Sequence, residues 1–201
     1  GKGQYLDIAM MDGAIGWLGY IATDYFFGGK IPGPASTLLN GKNACYEVYE
    51  TKDGGYISLG AVEPHLWANL CRYFGKEEYI KMQRDVDKQD ELFTFLKEQF
   101  LSRDRDEWVE VFKNVDACTA PVQNLDEVFN DPHVLHRQMV FEMDHPRLGK
   151  MKQLGFPIKM SDTPAQARLA PPDLGQHNEE ILGGMGYTSD EIQNLREQGI
   201  V

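Results

Sequence analysis

The chain has 201 residues, with 20 basic against 31 acidic side chains and a formal charge of −11 at pH 7. Apolar residues make up 42% and charged residues 25%, the balance of a globular protein and not of a disordered, collagen-like or disulfide-stapled one. Lysine and arginine are outnumbered and scattered, so there is no basic patch to neutralise phosphates and no nucleic-acid partner is expected.

The most apolar run lies between Asp12 and Asp24 and has 11 residues, against the roughly 20 that a membrane span needs. No membrane partner is expected. Cys45, Cys71 and Cys118 are far apart and form neither a CxxC pair nor a zinc spacing, which predicts three reduced thiols in a cytoplasmic protein. The first residue is Gly1, not Met, so the expectation is a processed start or the downstream part of a longer chain.

In chain order, Gln4 to Ala9 alternates weakly and predicts a short strand. Met10 to Phe27 predicts a helix that is apolar on nearly every face and therefore buried on nearly every face. Gly13, Gly16 and Gly19 recur in it at a spacing of three. Each interior glycine costs about 1 kcal/mol relative to alanine, so a close backbone approach is expected there. A Gly- and Pro-rich loop follows, from Gly28 to Asn43.

Cys45–Thr51 and Tyr56–Ala61 then flank Lys52-Asp53-Gly54-Gly55, the pattern of a β-hairpin with a type I′ turn. Pro64 suits the first turn of a helix running from His65 to Phe74. Amphipathic spacing predicts helices over Glu91–Leu101 and Asp104–Lys113. A loop over Asp116–Val122 leads to a short helix at Leu125–Asn130, which Asp131-Pro132 ends. Phe141–Met143 and Met151–Leu154 are candidates to pair around Arg147-Leu148-Gly149. The tail predicts helices over His177–Met185 and Ser189–Gln198, with Thr188 or Ser189 as the cap.

Glu63 sits between a strand and Pro64. One reading is a capping carboxylate, favoured by the positive end of the helix. The other is an active-site carboxylate that accepts a hydrogen bond from an imidazole and fixes its tautomer. His133 and His136 could share a helix face, but the third ligand that a metal needs is missing, so no metal is expected. Cys118 reads as structural, because nothing in the local sequence would activate its thiol. His177 reads as a cap or packing residue.

Several segments together resemble the family III CoA-transferases, a group that includes formyl-CoA and carnitine CoA-transferases and α-methylacyl-CoA racemase. They are Gly1-Lys2-Gly3-Gln4-x-x-Asp7-x-x-Met10-x-Asp12-Gly13, Tyr46-x-x-Tyr49-x-Thr51-x-Asp53-Gly54, Asp116-Ala117-Cys118-x-x-Pro121-Val122 and Asp131-Pro132-His133. The tail matches from Pro171-Pro172 through His177-x-x-Glu180-Ile181-Leu182 to Gly186-Tyr187. Gly60-Ala61-Val62-Glu63-Pro64 resembles the racemase-like branch.

The resemblance implies a mixed α/β to α+β fold, with a small α+β domain plus parts of a discontinuous Rossmann-like large domain. Residues 1–40 would end the first large-domain segment, 41–150 would form the small domain, and 151–201 would return to the large one. It also implies an interlocked homodimer in the full-length protein and a coenzyme A thioester as substrate, with no permanently bound cofactor.

The implied activity is α-proton exchange on an acyl-CoA thioester. The alternatives are CoA transfer to a carboxylic acid, or a non-catalytic dimerisation and small-domain fragment. The family's catalytic His and Asp and most of its phosphate-binding arginines lie upstream of the matched segment. The charge of −11 agrees, since an acidic segment is a poor host for a polyanionic nucleotide. This chain alone is therefore expected to be incomplete and inactive. In the resemblance Glu63 is the carboxylate that hydrogen-bonds the catalytic His, while Leu39, Tyr46 and Val62 line the acyl pocket.

Overall fold

The computed structural model describes residues 3–201; Gly1 and Lys2 of the first matched segment lie outside them. The chain divides into two units, one ending at Val122 and one running from Gln123 to Val201.

At the start of the first unit the strand expected over Gln4–Ala9 is absent. A strand needs a ladder partner, and Tyr5 and Ile8 stand in solvent with none among the described residues. The expected long helix is two: α1 (Met10–Gly16) and α2 (Gly19–Gly28). Trp17 and Leu18 donate to the carbonyls three residues back, at 3.2 and 3.0 Å, which tightens the last turn and ends α1 between Gly16 and Gly19.

Neither helix buries a residue; Trp17 is 92% and Phe27 88% exposed. A Cβ at Gly13, Gly16 or Gly19 would meet nothing within 4 Å. The burial and the close backbone approach that their sequence predicts are not made by the described residues.

The core forms further on. The hairpin pairs β1 (Tyr46–Glu50) with β2 (Tyr56–Gly60), Tyr49 facing Ile57 and Glu47 facing Leu59. Its turn is not type I′. That type needs positive φ at both central residues, and only Gly54 has it, at 77°. The amide of Gly54 donates to Thr51 O at 3.0 Å and that of Thr51 to Gly55 O at 2.9 Å. The turn is thus a wider one with a single left-handed glycine.

Asp53 fastens this turn. Its Oδ1 accepts from the Thr51 hydroxyl at 2.6 Å and from the backbone N–H of Arg105 at 3.1 Å. The Thr51 hydrogen bond above all, with the backbone donors behind it, holds the carboxyl below its ordinary range.

Three helices cover the inner face of the sheet: α3 (Pro64–Tyr73), α4 (Gln89–Phe100) and α5 (Arg105–Phe112). Alternation puts Tyr49, Ile57 and Leu59 on that face, where they meet Leu66, Trp67 and Leu70 of α3, Leu92, Leu96 and Phe100 of α4, and Trp108 of α5. Aromatic geometry fixes the packing. Tyr49 stacks on Phe100 at 4.9 Å, and Trp108 stacks on Phe112 at 5.6 Å. The indole N–H groups of Trp67 and Trp108 donate to Tyr79 O and Phe100 O, at 3.0 and 2.8 Å. Residues 116–122, expected as a loop, include a third strand, β3 (Thr119–Pro121), antiparallel to β2. Pro121 is tolerated because β3 is an edge.

The second unit opens with α6 (Leu125–Asn130) and α7 (Pro132–His136), the latter capped by Asp131, which accepts from the amides of His133 and Val134 at 2.8 and 3.1 Å. Then β4 (Val140–His145) pairs with β5 (Gly149–Leu154) around the expected turn. Buried His145 builds that turn. Its Nδ1 accepts from the amides of Arg147 and Leu148 at 3.1 and 3.2 Å, which leaves Nε2 to donate to Pro171 O at 3.1 Å. The unit ends in α8 (Asn178–Gly184) and α9 (Ser189–Glu197). Thr188 and Glu191 close a capping box on α9, whereas His177 does not cap α8 and instead meets the Glu180 carboxylate at 3.2 Å.

Two outcomes follow from this packing. A maleimide should label Cys118 in the native protein and reach buried Cys45 and Cys71 only on unfolding, as mass spectrometry of the labelled peptides would show. Burial pushes the Cys71 thiol up to about 12, which slows it further. Asp53→Asn should lower the melting temperature at neutral pH. The folded carboxyl titrates below its unfolded value, so its contribution is present above the ordinary carboxylate range. It is lost as pH falls through the folded value, and the gap between the two proteins should close there in acid melting curves.

Candidate active site

Turning β1 and β2 over shows the other face of the sheet. Tyr46, Val48, Ser58, Gly60 and Ala120 alternate with the core residues and point away from the helices. The segment 35–41 runs beside this face. It is folded by the Asn40 side chain, whose Oδ1 accepts from the Thr37 amide at 2.7 Å, and by left-handed turns at Ala35 and Gly41. Between the segment and the sheet lies a groove of about 630 Å³, lined in part by Leu39, Tyr46, Val48, Leu59, Gly60 and Cys118.

Gly60 keeps the floor open. A Cβ there would stand 3.2 Å from Cys118 Sγ and 3.5 Å from Cys118 O, the atom that accepts the Gly60 amide at 2.8 Å. Cys118 itself takes φ of 51°, in the left-handed region.

Leu39 and Tyr46 thus meet in one groove, though seven positions of turn separate them. Val62 does not line it. Val62 and Glu63 lie just beyond Gly60, where the chain leaves β2 for α3, and the Val62 amide donates to Gly60 O at 2.8 Å.

Glu63 occupies the N-cap position of α3, with φ −70° and ψ 137°, and Pro64 takes the first helical place. Its side chain does not cap the helix. It is exposed and makes no hydrogen bond or ion pair with any described residue. The carboxylate at the positive end of α3 is therefore available to a donor from elsewhere.

A residue that sequence reasoning passed over holds this connection. The side-chain amide of buried Gln83 donates to both Ala61 O, at 2.9 Å, and Val62 O, at 3.0 Å. A second buried amide, Gln89, donates to Asp85 O at 2.7 Å and to Gln83 O at 3.3 Å, and accepts from the Ala44 amide at 3.0 Å. One network so ties the entry to β1, which carries Tyr46, to the exit from β2, which carries Glu63. The signal for it was thin: two glutamines, Gln83 and Gln89, bracketing a polar stretch that shows no helical period. Glu47, next to Tyr46, was passed over too.

Among the described residues no group of three His, Cys, Asp or Glu side chains is placed to hold a metal ion, and His133 and His136 are both exposed. No helix among them is long and apolar enough to cross a membrane.

Comparison with known proteins converges on one group. The sequence model of CoA-transferase family III matches residues 1–178. The whole chain aligns at 30% identity with 47% of human succinyl-CoA:glutarate CoA-transferase, and at 26% identity with 52% of human α-methylacyl-CoA racemase. Among solved structures, a CaiB/BaiF family protein from Brucella suis superposes with a TM-score of 0.66 at 25% identity, over 92% of this chain and 48% of that one. The chain spans about half the length of the curated relatives it matches.

Gln83→Leu would leave the buried Ala61 carbonyl and the half-buried Val62 carbonyl without their donor. It should destabilise the protein by about 1–3 kcal/mol in urea unfolding, the cost of an unsatisfied buried polar group. A loss within error would mean that the network does not hold the connection.

Proposed function

This chain belongs to CoA-transferase family III, and from that membership we propose that it forms part of an acyl-CoA enzyme that exchanges the proton α to a thioester, as a racemase does. The observation that carries the reading is Glu63: an exposed carboxylate at a helix start, held in place by the backbone on either side and committed to no capping bond. A thioester α-proton is weakly acidic, so its removal needs an aligned base and a stabilised enolate oxygen. Glu63 would accept a hydrogen bond from the imidazole that moves the proton, hold its tautomer and favour its protonated form. That makes Glu63 a positioning residue. Leu39 and Tyr46 would hold the acyl chain in the groove, and Val62 would border it at the exit from β2. Coenzyme A enters as substrate and leaves with the product, with no resident cofactor.

The uncovered apolar side chains of α1 and α2, such as Met10 and Phe27, and of Trp17 between them support packing against further protein, and we propose an interlocked homodimer for the full-length enzyme. The 30% identity to succinyl-CoA:glutarate CoA-transferase favours a second reading, CoA transfer between carboxylic acids, in which the groove would only enclose the acyl group.

The test uses protein expressed from the complete reading frame that contains this chain. Incorporation of deuterium from solvent at Cα of 2-methylacyl-CoA, followed by mass spectrometry, should slow between about tenfold and 10⁴-fold in Glu63→Gln, the range seen when the orienting partner of an imidazole is lost. The basic limb of the pH–rate profile should also move, because the imidazole loses its anionic partner. Unchanged exchange with an unchanged profile would reject the role of Glu63. CoA passing to an added carboxylic acid through an enzyme-bound thioester, with no exchange at Cα, would establish the second reading.

A further inference from the structure

Glu47 stands out as the carboxylate on the wall of the groove. It lies on β1, whose outer edge is unpaired, so the Val48 amide has no strand partner. The Glu47 side chain curls round that edge, and its Oε1 accepts from the Val48 amide at 2.9 Å. The other oxygen faces the loop wall: a Cβ built on Gly41 would lie 3.1 Å from Oε2. One carboxylate is thus anchored between the two walls, beside Tyr46, Val48 and Gly41.

Among the described residues, none of those lining the groove is Lys or Arg. Lys42, the cation next along the chain, lines a different depression with Lys30 and Asp24. The remaining polar groups of the groove are neutral side chains such as Asn40, Ser58 and Thr119.

We propose that Glu47 selects the acyl chain, admitting an uncharged one and rejecting one that ends in a carboxylate. This rests on the reading of the groove as the acyl site. The physics is negative selection. A straight apolar chain gains by covering Leu39, Tyr46 and Val48. A dicarboxylic acyl group would bring a second anion against a fixed carboxylate, with no cation in the lining to offset it. The substrates that suit the groove are thioesters of neutral, alkyl-bearing acids.

Butanoyl-CoA and succinyl-CoA have four-carbon acyl chains and differ at the end, methyl against carboxylate. Their dissociation constants for the protein from the complete reading frame, measured by calorimetry, test the proposal whatever the reaction. Butanoyl-CoA should bind at least about tenfold tighter, since juxtaposed like charges cost several kcal/mol. In Glu47→Gln the amide oxygen can still accept from Val48, so the edge stays capped. There the preference should shrink by about tenfold through tighter succinyl-CoA binding. Val48→Lys, an exposed strand position on the groove, should shift the preference the same way and serves if the first variant does not fold.

Equal or tighter binding of succinyl-CoA by the unaltered protein would overturn the proposal, as would a preference that neither variant moves. In both cases the thioesters still bind, so the acyl-CoA reading would stand while the selection by Glu47 falls. If neither thioester binds, the acyl-CoA reading falls and the selection falls with it.

Discussion

Two buried side-chain amides hold the functional end of the first unit together. Where a strand hands over to a helix, its last carbonyls lose the ladder and have not yet gained the helix. At Ala61 this happens inside the protein and at Val62 at its margin. Gln83 supplies the missing donor to both carbonyls, and Gln89 holds Gln83 by its backbone while receiving the Ala44 amide. The backbone leading into Glu63 is therefore held by the core rather than by a side-chain helix cap. The same network fixes the start of β1, so Tyr46 and Glu63 share one support although seventeen positions separate them.

The three-stranded sheet has an unequal pair of faces. One is filled by α3, α4 and α5 through a stack of aromatic rings from Tyr49 to Phe112. The other carries Ser58, Gly60 and Ala120 beside Tyr46 and Val48, and among the described residues the 35–41 segment runs along it. A rigid face backed by a dense core beside a thin, turn-rich wall is a good form for a ligand groove, because the floor is preformed and the lining can vary without unfolding the sheet.

Much of this was legible in the sequence, for reasons that differ by element. Asp53-Gly54 between β-favouring runs announced the hairpin, and the spacing of Leu92, Phe95, Leu96 and Phe100 announced α4, because both signals are local. The turn type was misread, since Asp-Gly is shared by hairpins of more than one length and the Asp53 contact to Arg105 favours the wider one. β3 was missed because three residues carry no period and Pro121 argues against a strand. The split of α1 from α2 was missed because the glycines that permit close packing also weaken a helix on which the described residues pack little.

At the site, Leu39, Tyr46, Val62 and Glu63 came from resemblance. The structure adds that the first two meet in one groove and that Glu63 leaves its helix uncapped. Gln83 had only a thin sequence signal and Glu47 none, since their importance lies in which backbone groups they reach.

The floor of the groove has a consequence for how this family member can change. Gly60 leaves room for Cys118 Sγ, and Cys118 in turn holds a backbone angle that only glycine adopts freely. The two positions are therefore exchangeable in one order. Glycine arriving first at 118 relieves the angle and removes the sulfur, after which alanine can enter at 60. The reverse order passes through a crowded intermediate. Across descendants of this sequence the two sites should covary, and the depth of the groove would drift in steps of that pair and not one residue at a time.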